Sequence, residues 1–307
     1  MLRLINDHFF KIAITALALA IILSFTSLSS WKSMDEVFIF FPEDEHIFFR
    51  EAKTNLDLLS KKDNDEYILQ WSFASETNEP AFLRSDLSIM FENGAFAAAK
   101  KQSLKDQLFI EGVESYDGED SGRFDVITFH HAETHYEEDI YRSKHAWSQD
   151  QLYVVDSPFS QLHAFKEPSS DDESRSKQVL DSIIDQQLSY ELDELVEEFQ
   201  IDVDEYHLFT LLDLPQYMHL PLPGMTEKES FATVGQLWEG FYRYYVLGIN
   251  TFTEETYSPR GNSIPHILLH KDGTHLLLLY KTKDGSKQQL FQMINKDEDM
   301  TYQDSIN

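Results

Sequence analysis

Seventeen consecutive residues without a charge, Ile12 to Leu28, follow a short leader that contains Arg3 and Lys11. At roughly 1.5 Å per residue the run spans about 26 Å as a helix, close to a hydrocarbon core of ~30 Å. Lys11 and Lys32 can extend it by snorkelling, and Phe9, Phe10 and Trp31 suit the two interfaces. Arg3 and Lys11 precede the run, against Lys32 alone close behind it. The positive-inside bias therefore predicts a single-pass transmembrane anchor with a cytoplasmic N-terminus and the bulk of the chain extracytoplasmic. Ser27-Leu28-Ser29 also fits the small-x-small exit of a secretory signal, so secretion after cleavage is the alternative. A minimal leader, one span and no cysteine point to a bacterial cell envelope.

The absence of cysteine excludes disulfides, thiolate metal sites, cysteine nucleophiles and a lipoprotein anchor. Stability must then come from a packed core, and 23 Phe and 14 Tyr within a chain that is 42% hydrophobic supply the material. The chain has 25 basic and 54 acidic residues. Residues 1–33 hold three of the basic residues and one acid, so the remainder sets 22 positive charges against 53 negative ones. Such a field repels nucleic acid and anionic lipid; it keeps a surface soluble and favours cations or a basic partner.

Periodicity predicts an α+β ectodomain of antiparallel sheets with a few packed helices. Ile47, Ala52, Leu56 and Leu59 fall roughly on one helical face, predicting a helix from Glu43 to Ser60. Strands are expected over Tyr67–Ala74, Gln107–Val113 and Phe124–Tyr136, with a hairpin joining Leu87–Glu92 to Ala95–Lys100 through Asn93-Gly94. A second hairpin is expected between Tyr141–Trp147 and Leu152–Val155, turning at Ser148 to Gln151. Ser170 and Glu173 have capping-box spacing ahead of a long helix carrying Leu180, Ile183, Ile184, Leu188, Leu192, Leu195, Val196 and Phe199. After Leu220-Pro221-Leu222-Pro223-Gly224, Thr226 caps a helix whose inward face carries Phe231, Val234, Trp238, Phe241, Tyr242 and Tyr245, with Gly248 as its stop. Asp272-Gly273 and Asp284-Gly285 then join three strands, Ile264–His270, Thr274–Lys281 and Lys287–Ile294, into a meander.

These segments divide the chain into the leader and anchor (1–33), a β-rich lobe (34–168) and an α+β lobe (169–307), the last two each reading as a helix followed by a meander. That order resembles cystatin-like and PepSY-type extracytoplasmic modules in architecture alone.

One constellation is dense enough to suggest chemistry. On a strand, His131, Glu133 and His135 share one face through the period of two, a sulfur-free set that could hold a divalent metal such as zinc or manganese. An acidic edge that discourages pairing with strangers is the plainer account. Asp117 to Gly122 begins like a calcium loop, but Thr128 stands where the bidentate carboxylate is required. There is no G-x-S-x-G elbow, and Asp156-Ser157-Pro158 lacks the glycines of one. Phosphate-cradling and dinucleotide loops are also missing.

With no catalytic signature, the sequence predicts a non-enzymatic accessory or regulatory protein that binds a ligand, a membrane protein or an envelope component. An exported metal-dependent hydrolase using His131, Glu133 and His135, and a solute-binding module with an aromatic-lined pocket between the two halves, are the alternatives.

Overall fold

The computed structural model describes residues 38–61, 66–157, 160–249 and 256–294. The Ile12–Leu28 run lies outside the described residues, among which no helix is long and apolar enough to cross a membrane. The fold is α+β, built on antiparallel sheets of six and four strands that belong to one unit, Ile39–Asn307.

The larger sheet contains β1 (Phe49–Lys61), β2 (Tyr67–Glu92), β3 (Ala95–Gly118), β4 (Gly122–Tyr136), β5 (Ile140–Ser157) and β6 (Ser160–Phe165). Its ladder runs β1-β2-β4-β5-β6, with β3 also paired to β2. The length of β2 gives the sheet its shape. Its first half pairs with β1 and its second half with β4. Between them lies a break in the β3 pairing from Glu76 to Ala81, where Pro80 cannot donate to a ladder. The bend brings Ser75 within 2.7 Å of Asp86 and rolls β1 towards β5. No backbone ladder joins β1 to β5 among the described residues; side chains close the seam instead. The Leu56 N–H donates to Asp150 (2.7 Å), Lys166 donates to Asn55 (2.8 Å), and the Thr54 and Ser148 hydroxyls lie 2.6 Å apart.

One part of the rolled interior is apolar, with Leu56, Leu69, Trp71, Phe73, Phe124, Val126 and Val154 packed as one cluster. Full burial of each large apolar side chain contributes about 1.5–3 kcal/mol. Phe73 and Tyr67 lie directly opposite Gly112 and Gly118, and their rings cover the space a Cβ would take there. The remaining interior is polar, occupied by Arg84, Asp86, His130, Thr128 and Ser88, all fully buried.

Three expectations are corrected. The predicted helix from Glu43 to Ser60 is instead strand β1, so the first half has no leading helix and the helix-plus-meander order fails there. Ala52 and Leu56 are four apart and satisfy both helical and strand periods; Thr54 and Leu58, which turn inward while Leu59 is 55% exposed, decide for the strand. The predicted hairpin at Ser148–Gln151 does not form, because β5 runs straight through it. Each of the four residues has a partner in register on β4, and no Gly or Pro interrupts them. The segments of β2 and β3 read separately are likewise single long strands.

Elsewhere local signals hold. Asn93 and Gly94 both take positive φ, 50° and 83°, as a two-residue hairpin of this hand requires. Helix α1 (Asp171–Phe199) starts at Ser170, whose side chain accepts from the Glu173 N–H, while the Glu173 carboxylate caps Ser169 rather than Ser170. Leu192, Leu195 and Phe199 pack on the smaller sheet, whereas Ile183 of the same predicted stripe is 56% exposed. That sheet comprises β7 (Tyr206–Thr210), β8 (His266–His270), β9 (His275–Lys281) and β10 (Lys287–Met293), in the order β10-β9-β8-β7. The last three form the predicted meander. Helix α2 (Glu227–Phe241) has a full capping box between Thr226 and Glu229 and continues as a π turn over Tyr242–Val246 before Gly248 at φ 61°. It lies between the two sheets: Trp238 stacks on Phe129 of β4 at 4.7 Å, and Gln292 of β10 donates to the Thr233 carbonyl.

Candidate functional site

Strand β4 places His131, Glu133 and His135 on one face, as their spacing requires, but at different depths. His131 is 3% exposed. Glu133 accepts a hydrogen bond from His135 Nε2, and the His135 ring stacks on Phe82 at 3.7 Å and meets the Tyr141 ring edge-on at 4.6 Å. Among the described residues no three His, Cys, Asp or Glu side chains converge closely enough to hold a metal ion. The same holds for the acidic turn from Asp117 to Gly122, which is pinned by Tyr67 donating to the Asp120 carbonyl and by Ser121 bonding both backbone groups of Asp156.

The face of β4 and β5 under α2 carries a second histidine pair. His145 lies opposite His131 in the ladder, stacked on Phe231 of α2 with centroids 4.0 Å apart. Burial, reinforced by the positive charges of Lys101 and Arg84, lowers the His131 pKa to about 3. Burial likewise holds His145 well below the usual range, and its Nδ1 has no hydrogen-bond partner among the described residues. Both rings are therefore neutral at physiological pH, and they act as aromatic packing rather than as cations.

Beside this pair opens a cleft of about 340 Å³. Its floor is Trp147 and His145 from β5 with Phe231 and Val234 from α2. Its far wall is the 3₁₀ segment Leu211–Tyr217 and the chain through Leu222. The Leu220–Gly224 break folds back because the Leu222 N–H donates to Ser230 Oγ, burying Leu222 and leaving Leu220 64% exposed at the mouth. Lys144 pairs with Glu43 at the rim and sits 5.7 Å above the Phe231 ring. This open groove combines aromatic walls with polar lining from Glu43, Lys144, His219, Glu227 and Ser230, and it has the size of a site for a small ligand.

Sequence reasoning singled out the aromatic face of α2, yet only its first turns reach the cleft. Trp238, Phe241, Tyr242 and Tyr245 are core, each no more than 1% exposed. Trp147, Tyr217 and Leu220 complete the cleft from segments whose local pattern gave no such signal. No protein family, characterised protein or solved structure matches the chain.

Proposed function

We propose that this chain is a membrane-anchored, extracytoplasmic accessory or regulatory protein of a bacterial cell envelope that works by binding. The apolar run at Ile12–Leu28 supports the address, and the cleft beside Trp147 and Phe231 carries the binding reading. Two exposed apolar side chains, Met218 and Leu220, form its lip. Such a lip suits an apolar or aromatic segment of a ligand or partner, while the surrounding negative field selects against anionic competitors. The test is site-specific photo-crosslinking in native membranes, with the photoreactive residue at Leu220 or, as control, at Val179 on the exposed side of α1. A reproducible adduct from position 220 that is missing from 179 supports the reading. Equal labelling from both, or none, overturns it.

A further inference from the structure

Within the rolled sheet three side chains form a relay that shares no residue with the cleft. Asp86 lies directly opposite His130 in the β2–β4 ladder, and Ser148 is two residues along β5 from Ala146, the β5 partner of His130. Cross-strand partners and i, i+2 neighbours point to the same face, so all three project inward. Asp86 Oδ2 is 2.7 Å from His130 Nδ1, and His130 Nε2 is 2.7 Å from Ser148 Oγ. Asp86 and His130 are fully buried. Ser75 donates a second hydrogen bond to Asp86 Oδ2 and accepts one from the buried guanidinium of Arg84. An aspartate that accepts from Nδ1–H fixes the imidazole tautomer with Nε2 open to take the serine proton. Nucleophile, base and orienting group thus stand in the order and at the distances that activate a serine, a constellation recognised by geometry rather than by sequence order.

Ser148 also has a route to solvent. It is half-buried at the seam where β1 meets β5 without a backbone ladder. The Leu56 N–H points across this seam to Asp150. By the period of two the Thr54 N–H points the same way, and the Thr54 hydroxyl is 2.6 Å from Ser148 Oγ. A carbonyl oxygen placed there meets a backbone donor of the kind that stabilises an oxyanion.

We propose that Ser148 is an acyl-accepting nucleophile with His130 as its base and Asp86 as the positioning residue, acting on small esters. Ser148 Oγ bonds to the ester carbonyl carbon as its proton passes to His130 Nε2. The bond from that carbon to the alcohol oxygen then breaks, and the alcohol leaves with the proton from His130. Water repeats the sequence on the acyl-serine, releasing the acid and restoring Ser148.

The test treats the full-length protein with p-nitrophenyl acetate or a fluorophosphonate and maps the adduct by mass spectrometry. One adduct, on Ser148, is expected. It should be absent in Ser148→Ala and about 100-fold slower in His130→Gln or Asp86→Asn. Melting curves of each variant identify any that does not fold. Ser148→Cys, nearly isosteric, keeps the test decisive: its thiol should alkylate with iodoacetamide faster when Asp86 is present than in the Asp86→Asn background. No adduct on Ser148 in the folded protein, or rates indifferent to both His130 and Asp86, overturns the proposal.

Discussion

His131 and His145 face each other across the β4–β5 ladder beneath α2, two imidazoles held neutral by burial in a chain whose surface is strongly acidic. A histidine whose folded pKa lies below its unfolded value takes up a proton more readily when unfolded. Its effect is therefore to lower stability as pH falls from about 6.5 towards the folded value. For His131 that window runs from about 6.5 to about 3, with a slope of about 1.4 kcal/mol per pH unit. Urea unfolding between pH 7 and pH 4.5 should show stability declining on the acid side, and His131→Gln should flatten that decline. An unchanged acid slope in the variant would show that this histidine is not excluded from protonation.

Gly235 and Gly240 stand five residues apart on α2 and should respond oppositely to alanine. A Cβ on Gly235 would lie 1.8 Å from Phe40 Cδ2, whereas one on Gly240 would meet nothing within 4 Å. Gly235→Ala should destabilise by about 1–3 kcal/mol through overpacking. Gly240→Ala should stabilise by about 0.5–1 kcal/mol through helix propensity. Chemical denaturation measures both, and Phe40→Ala should relieve much of the Gly235→Ala penalty.

How much of this architecture was legible depended on how local the deciding physics is. Asn93-Gly94, Asp284-Gly285 and the Thr226–Glu229 cap act within four residues, and each stands where the sequence placed it. Ala52 and Leu56 fit two periods at once, so the local pattern of β1 predicts a helix, and only its pairing with β2 decides for a strand. The common face of His131, Glu133 and His135 was legible too, but their depths depend on where α2 packs. The Asp86–His130–Ser148 relay was invisible because it exists only through the register of three strands. Ser148, polar and followed by Gln149 and Asp150, has the local pattern of a turn instead.

The start of α2 offers a check on local energetics. Thr226 Oγ1 accepts from the Glu229 N–H at 3.2 Å, and the Glu229 carboxylate accepts from the Thr226 N–H at 2.7 Å. Thr226→Ala should cost about 1 kcal/mol. Because this helix end also positions Ser230 and Phe231 at the cleft, hydrogen exchange should quicken in residues 226–231 and in the Leu222 amide bonded to Ser230. Global destabilisation without such local opening would separate the cap from the cleft wall.

Arg84 supplies the sharpest test of the polar interior. Its guanidinium is fully buried and donates to the Thr77 hydroxyl at 2.9 Å and to the Leu108 carbonyl at 2.6 Å, with Nη2 on Ser75. Ser75 in turn donates to Asp86, so cation and carboxylate are linked through one hydroxyl. Burial lowers the Arg84 pKa and the Asp86 charge opposes that shift. Removing the cation alone leaves a buried carboxylate held only by its hydrogen bonds to Ser75 and His130, and Arg84→Met should cost about 3–5 kcal/mol. Asp86→Asn alone should also destabilise, because it strands the cation. The double variant should cost less than the sum of the two, with a coupling of about 0.5–3 kcal/mol by double-mutant cycle. Additive losses in urea unfolding would mean that the two charges do not sense each other. The carboxylate that orients His130 would then have to owe its charge to the hydrogen bonds of Ser75 and His130 alone.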